Sequence, residues 1–115
     1  MSVSENEARQ LVRRRSLGFC EARVFPGCRG QATSVHHLTK RSHGGAWCAA
    51  NLVNVCGHGT VGCHGWIEAN PAAAHELGLS RRTGEDIDTP VRISFRGLSG
   101  VWRLHCDGSI TWLHD

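Results

Sequence analysis

The apolar positions follow a helical period at the start of the chain and an alternating period at its end. Over residues 1–18 the apolar side chains Ala8, Leu11 and Val12 recur one or three to four residues apart on one helical face, and Leu17 extends the same stripe. This spacing predicts an amphipathic helix, and Ser4 with Glu7 three residues later is typical of a capped helix start. Over residues 90–115 apolar and polar residues alternate, which predicts a hairpin or small antiparallel sheet with a turn at Asp107-Gly108.

Residues 19–79 combine strand-like runs with helix-like segments. Ala32 to Leu38 and Asn51 to Cys56 are short apolar runs that predict strands, and the segment from Cys63 predicts a helix. Asn70-Pro71 predicts the capped start of a second short helix, which ends at Gly78. A chain of 115 residues has the size of one domain. We therefore predict a single α+β domain with an N-terminal helix, a core at 19–79 and a β appendage at 90–115.

The six cysteines are the first candidate chemistry. No signal-peptide pattern and no membrane-length apolar run is present, so we expect a cytoplasmic protein whose thiols stay reduced. Disulfides are the less favoured alternative, and clustered cysteines then indicate metal binding. Two pairs, each around a turn, predict a tetrahedral structural zinc site, with the ligands Cys20, Cys28, Cys56 and Cys63. Cys48 and Cys106 have no partner in this scheme and are interpreted as ordinary thiols.

His64 and Glu68 are the second candidate chemistry. They are four residues apart, so a helix would project both side chains from one face. A third ligand from a nearby strand would complete a three-ligand metal site with open positions, which is typical of catalysis. His36 and His37 are adjacent on a predicted strand, so their side chains should point to opposite faces and do different work.

The net charge of +3 is unevenly distributed along the chain. Residues 1–50 carry eight Lys/Arg against three acidic residues, whereas residues 51–115 carry five Arg against seven acidic residues. A basic half fits a polyanion such as nucleic acid. The alternative, a solvated helix face, stays open for the N-terminal arginines.

Residues 19–79 resemble the HNH endonuclease family, in particular the small proteins of bacteriophages and actinobacteria. The resemblance rests on the paired cysteines, VHH at 35–37, GG at 44–45, NL at 51–52 and Cys63-His64. It implies a ββα-metal, treble-clef-like core around one divalent ion. It also implies that His36, His64 and Glu68 are the ligands, that His37 is the general base, and that Asn51 holds the base loop. Relatives often have His or Asn at the position of Glu68, so this carboxylate would shift the metal preference toward harder ions.

The resemblance further implies hydrolysis of DNA phosphodiester bonds with Mg²⁺, Mn²⁺, Ni²⁺ or Zn²⁺. The residues expected to hold the DNA backbone are Arg13, Arg14, Lys40 and Arg41. A bacterial host cell, phage DNA packaging and a terminase partner are expected by the same resemblance, with no membrane. The target sequence, nicking or double-strand cleavage, and the oligomeric state are left open.

Two alternatives compete with the nuclease. A non-catalytic zinc-binding DNA module would need the four cysteines but has no use for His37 and Asn51. A protein-interaction domain in phage assembly would have a purely structural zinc site and a solvated basic face, and its DNA binding would depend weakly on salt.

Overall fold

The computed structural model describes residues 3–115. Met1 and Ser2, which the predicted N-terminal helical segment included, lie outside the described residues. The fold is α+β, as predicted, with a helix ahead of two small antiparallel sheets. Its helices are α1 (Glu5–Ser16), α2 (Gly62–Ala69) and α3 (Pro71–Glu76). Its strands are β1 (Ser34–His37), β2 (Leu52–Val55), β3 (Val91–Phe95), β4 (Leu98–Leu104) and β5 (Ile110–His114). Single 3₁₀ turns at Arg41–His43 and Ala49–Asn51 lie between β1 and β2.

Helix α1 begins where its sequence predicts. The Ser4 Oγ accepts a hydrogen bond from the Glu7 amide at 3.2 Å, which satisfies one of the free N–H groups of the first turn. The helix ends at Ser16, with Leu17 in the left-handed region at φ 55° and its amide bonded to the Arg13 carbonyl. The predicted helix start at Ser4 is confirmed, and the helix ends two residues before the end of the predicted segment 1–18.

A buried ion pair fixes α1 against the first sheet. The Arg15 guanidinium donates two hydrogen bonds to the Glu21 carboxylate, at 2.9 and 2.8 Å, and both side chains are fully buried. Arg15 also donates to the carbonyls of Ala49 and Leu52, and Glu21 accepts from the Asn54 amide. Because every partner is hydrogen-bonded, the buried charges are compensated.

The two sheets are separate. Strands β1 and β2 pair with His36 opposite Val53, and β3, β4 and β5 form the predicted small sheet at the end of the chain. The main core packs residues of both sheets with α2 and α3, and a smaller cluster packs α1 on Leu52 and Ala49. The first sheet thus has one face toward α1 and the other toward the main core. No described helix has the length and apolar character to span a membrane.

The interpretation of Cys48 and Cys106 as ordinary thiols is wrong, because the two residues form a disulfide. Their Cα atoms are 5.1 Å apart although 58 residues separate them in the chain. The C-terminal sheet packs its β4 strand against Ala49–Asn51, and this contact brings the end of β4 to Cys48. Local sequence carries no sign of this pairing.

The predicted cap of α3 is also different in detail. Asn70 precedes Pro71 as expected, but its side chain makes no bond to the first turn of α3. The Asn70 Nδ2 instead donates to the Trp66 carbonyl at 2.9 Å. Asn70 therefore caps the end of α2, because that helix leaves carbonyls free beside it.

Candidate metal centres

The four cysteines predicted to bind zinc lie together. Their sulfur atoms are all within 4.8 Å of one another, close enough to bind one metal ion, and the arrangement is compatible with structural zinc. Cys20 and Cys28 come from the loop after α1, Cys56 follows β2, and Cys63 lies in the first turn of α2. The site therefore joins three separate parts of the core.

Backbone amides point at each of these sulfurs. The Cys20 Sγ accepts from the Cys56 amide and the Cys56 Sγ from the Cys63 amide, at 3.3 and 3.2 Å. The Cys28 and Cys63 sulfurs accept from the amides of Gly30 and Phe25, both at 3.4 Å. A thiolate is the metal-binding form of cysteine, and an N–H aimed at the sulfur stabilises negative charge there. The backbone around all four sulfurs is thus arranged to stabilise thiolates.

The tight loop between Cys56 and Cys63 requires glycine. Gly57 has φ +79°, and a Cβ there would lie 2.0 Å from the Val61 carbonyl oxygen. Only glycine combines that backbone conformation with so close an approach. The GHGTVG segment therefore sets the distance between two of the sulfurs.

The thiol pKa values of Cys20, Cys28 and Cys63 are shifted in different directions. The hydrogen bond from Cys63 lowers the pKa of Cys20 to about 5, and the same hydrogen bond raises the pKa of Cys63. Burial raises the pKa of Cys28. One sulfur of the cluster is thus readily ionised before any ion binds, which suits binding of a cation that displaces thiol protons.

His36, His64 and Glu68 form a second cluster. One donor atom from each lies within 4.8 Å of the others. His36 is buried on β1, whereas His64 and Glu68 lie one turn apart on α2, where the Glu68 side chain is 34% exposed. The structure therefore brings together the three residues that the sequence predicts as ligands, on the core-facing side of the first sheet.

Hydrogen bonds fix which nitrogen of each histidine faces this cluster. The His36 Nε2 donates to the Leu79 carbonyl at 2.6 Å, which leaves the Nδ1 lone pair toward Glu68, 3.8 Å away. The Ser34 hydroxyl donates its one hydrogen to the Gly57 carbonyl, so it accepts from the His64 Nδ1 at 2.9 Å. The His64 Nε2 lone pair is then free. Metal-binding histidines are usually oriented in this way by a bond from the other ring nitrogen.

Both histidines are held neutral by their surroundings. Burial lowers the pKa of His36 to about 4, and burial also lowers the pKa of His64. A neutral imidazole keeps the lone pair that a cation requires. The two imidazoles and one carboxylate make a donor set that fits a divalent ion with further positions open.

His37 lies on the opposite face of β1 and contacts Trp47. The two rings meet edge to face, with centroids 4.4 Å apart. Among the described residues the His37 Nε2 is buried and has no hydrogen-bond partner, so Nδ1 is the nitrogen able to exchange a proton with solvent or a ligand. Burial, followed by the positive charges of Arg41 and Arg9, lowers the pKa of His37.

Asn51 closes the loop that joins the two strands. Its Oδ1 accepts from the Thr39 amide at 2.8 Å, and its Nδ2 donates to the carbonyls of Thr39 and Ala46, both at 3.1 Å. Asn51 is buried, and its partners Thr39 and Ala46 are half-buried. The side chain holds the two ends of the loop at residues 39 and 46, next to His37 and Trp47.

The residues predicted to hold DNA lie in different places. The Lys40 Nζ is 3.5 Å from the Glu68 carboxylate, and the Arg41 guanidinium lies 5.6 Å from the centre of the Trp47 ring. Arg13 and Arg14 are both exposed on α1. Arg13 lines a polar cavity beside β1, whereas the Arg14 carbonyl accepts a bond from Arg96 of the second sheet.

Sequence reasoning missed two side chains that support the site. Ser34 orients His64, and a signal existed, because Ser34 is two residues before His36 and so shares its strand face. The Trp47 ring packs against His37 and lies close to the guanidinium groups of two arginines. Nothing local to Trp47 in the sequence indicates this role.

No protein family, curated protein or solved structure matches the chain.

Proposed function

We propose that the protein is a metal-dependent endonuclease of the HNH type, with a ββα-metal core made of β1, β2 and α2. The observation that carries the proposal is the donor set of the second cluster. Two imidazole lone pairs, at His36 Nδ1 and His64 Nε2, meet the Glu68 carboxylate, and each ring is oriented by its other nitrogen. A purely structural protein would have no need for a second donor set beside four cysteines.

The expected ligand of this cluster is a divalent cation. When bound, such an ion would supply positive charge that neutralises a phosphodiester and its leaving oxygen. The half-exposed side of the cluster, at Glu68, gives a substrate access. Lys40, 3.5 Å from that carboxylate, adds a positive charge at the same opening.

His37 is the residue that we assign as general base. Its ring is neutral because burial and two nearby arginines lower its pKa, so its accessible nitrogen can take a proton from an attacking water. Trp47 packs against the ring on one side, and Asn51 fixes the loop that runs from His37 to Trp47. These contacts orient the base, which general base catalysis requires.

The competing function is a non-catalytic zinc-binding DNA module. The four-cysteine cluster favours it as much as it favours the nuclease. The second donor set, and the packing of the half-buried His37 against Trp47, favour the nuclease alone. DNA is the expected partner in either case.

The test is cleavage of a supercoiled plasmid with Mg²⁺, Mn²⁺, Ni²⁺ or Zn²⁺ added to protein that already holds its zinc. We expect nicked or linear product with at least one ion, and loss of that product in His64→Ala. His114→Ala is the matched control, because His114 is an exposed histidine of β5 outside both clusters. Zinc-loaded protein that binds DNA and yields no product with any of the ions would establish the non-catalytic module instead.

A further inference from the structure

Two arginine side chains that are distant in the sequence lie over the Trp47 ring. The Arg9 guanidinium of α1 lies 4.9 Å from the centre of the Trp47 ring, and that of Arg41 lies 5.6 Å from it. Both arginines are exposed, whereas Trp47 is half-buried. An aromatic ring attracts a guanidinium and limits its motion, so the indole holds two positive charges close together at the surface.

These charges lie beside the residue that we assign as general base. The rings of His37 and Trp47 meet edge to face, with centroids 4.4 Å apart, and both guanidinium groups lie over the same Trp47 ring. A ligand with negative charge that bridges the two arginines would therefore be placed next to the His37 ring.

The positive surface continues along α1. Arg9 and Arg13 are one helical turn apart, and both line a polar cavity of about 160 Å³ between α1 and β1. The other side chains that line it carry no acidic group; they include Thr33, Ser34 and Asn54. Arg14, which the family resemblance implied as a DNA-backbone contact, is about 100° further round the helix than Arg13 and does not line this cavity, so we leave it out of the positive surface.

Within residues 3–115, the one acidic side chain bonded to this surface is Glu5. Its carboxylate accepts from the Arg9 Nε at 2.9 Å, with the two side chains 55% and 46% exposed. An exposed ion pair between neighbouring helix turns is weak and exchangeable, so a phosphate can compete with Glu5 for Arg9.

We propose that Arg13, Arg9 and Arg41, the last two held by Trp47, form a track that binds the phosphodiester backbone of a nucleic-acid strand and leads it to His37. The proposal rests on the proposed nuclease function for the role of His37. Guanidinium groups suit phosphate because their fork of N–H donors matches its oxygens. Backbone contacts of this kind are independent of base sequence, so the track fixes the position of a strand rather than its sequence.

The test measures binding of a fluorescein-labelled DNA duplex of arbitrary sequence by anisotropy, over a range of salt concentrations and without added divalent ion. The variants are Arg9→Gln and Arg41→Gln, with Arg14→Gln as the matched control. Arg9 and Arg14 are exposed arginines of the same helix, so their substitutions change the net charge equally. All three substitutions are at exposed positions, and a melting temperature equal to that of the wild type is required of each variant to show that its fold is intact.

We expect Arg9→Gln and Arg41→Gln each to reduce the slope of log affinity against log salt by about 1, because each removes one phosphate contact. The corresponding loss of affinity is about tenfold at roughly 0.1 M salt. Arg14→Gln should lose much less. Equal losses of DNA affinity in Arg9→Gln and Arg14→Gln would overturn the track, because they would show that any positive charge on α1 contributes equally to binding.

Cleavage by the same variants separates failure of the track from failure of the nuclease proposal. If wild-type protein cleaves plasmid and the two track variants bind and cleave like wild type, the track is wrong and the nuclease stands. If the variants show the expected differences in DNA binding but the wild-type protein does not cleave plasmid, the track stands as a strand-binding surface and the role of His37 is wrong.

Discussion

The two donor clusters of this protein differ in how completely the chain surrounds them. The four sulfurs each receive a backbone N–H and come from three segments of the core, and three of the four cysteines are buried. The His36, His64 and Glu68 cluster offers one donor fewer and opens to solvent at Glu68. A closed set of four thiolates suits an ion that holds a fold, whereas three donors with an open side suit an ion that meets a substrate. We therefore expect the four-cysteine cluster to hold a structural ion and the His36, His64 and Glu68 cluster to hold an ion that acts on a substrate.

The largest effect that separates the clusters is on folding. Cys20→Ser, or removal of zinc by a chelator, should unfold the protein, because binding of structural zinc contributes about 10–16 kcal/mol in small zinc domains. His64→Ala should leave the fold intact, because Glu68 and the strand contacts remain. Circular dichroism and zinc content, measured on both variants, check this prediction. A folded, metal-free Cys20→Ser protein would show that the sulfur cluster is not structural.

The disulfide allows the fold to be weakened without touching either donor set. The double variant Cys48→Ser/Cys106→Ser should lower the free energy of unfolding by about 4 kcal/mol, as expected for a closed loop of this length. Urea unfolding of the oxidised protein and the variant measures the difference. Zinc content should be unchanged. An unchanged free energy of unfolding would mean that the β4 contact with Ala49–Asn51 holds without the covalent bond.

The smallest effect concerns the orientation of His64. Ser34→Ala removes the hydroxyl that bonds the His64 Nδ1, and loss of such a supporting bond typically weakens metal affinity by about 10–100-fold. Thr33→Val is the matched control, because the Thr33 hydroxyl also donates to the Gly57 carbonyl but contacts no histidine. Titration calorimetry with Mn²⁺ on zinc-loaded protein gives both affinities. Equal affinities in the two variants would show that Ser34 does not position His64.

Local rules were sufficient for most of the fold. The period of apolar residues and the Ser4 cap predict α1, and alternation with Asp107-Gly108 predicts the hairpin of β4 and β5. The spacing of His64 and Glu68 predicts their shared helix face because helical geometry is local. The proximity of the four cysteines follows from their pairing around two turns.

The contacts that the sequence did not predict depend on packing between segments that are distant in the chain. The bond between Cys48 and Cys106 depends on how the C-terminal sheet packs on Ala49–Asn51. Trp47 meets Arg9 because α1 packs on the cluster that contains Ala49 and Leu52. Neither contact has a local sequence pattern. Disulfides persist mainly in oxidising compartments, so the Cys48–Cys106 bond does not support the expectation of a reduced, cytoplasmic protein. That expectation stays a prediction.

The most direct test of the account separates the ligand histidine from the base histidine on adjacent positions of β1. His36→Ala and His37→Ala are compared by calorimetric titration of the second cluster and by plasmid cleavage at saturating divalent ion. We expect His37→Ala to bind the ion normally and to cleave about 10²–10⁴-fold more slowly, the usual range for a lost general base. We expect His36→Ala to bind the ion weakly and to recover part of its activity in excess ion. Loss of ion binding in His37→Ala with an unchanged rate at saturation would contradict these roles, and two variants that cleave like wild type would contradict the nuclease itself.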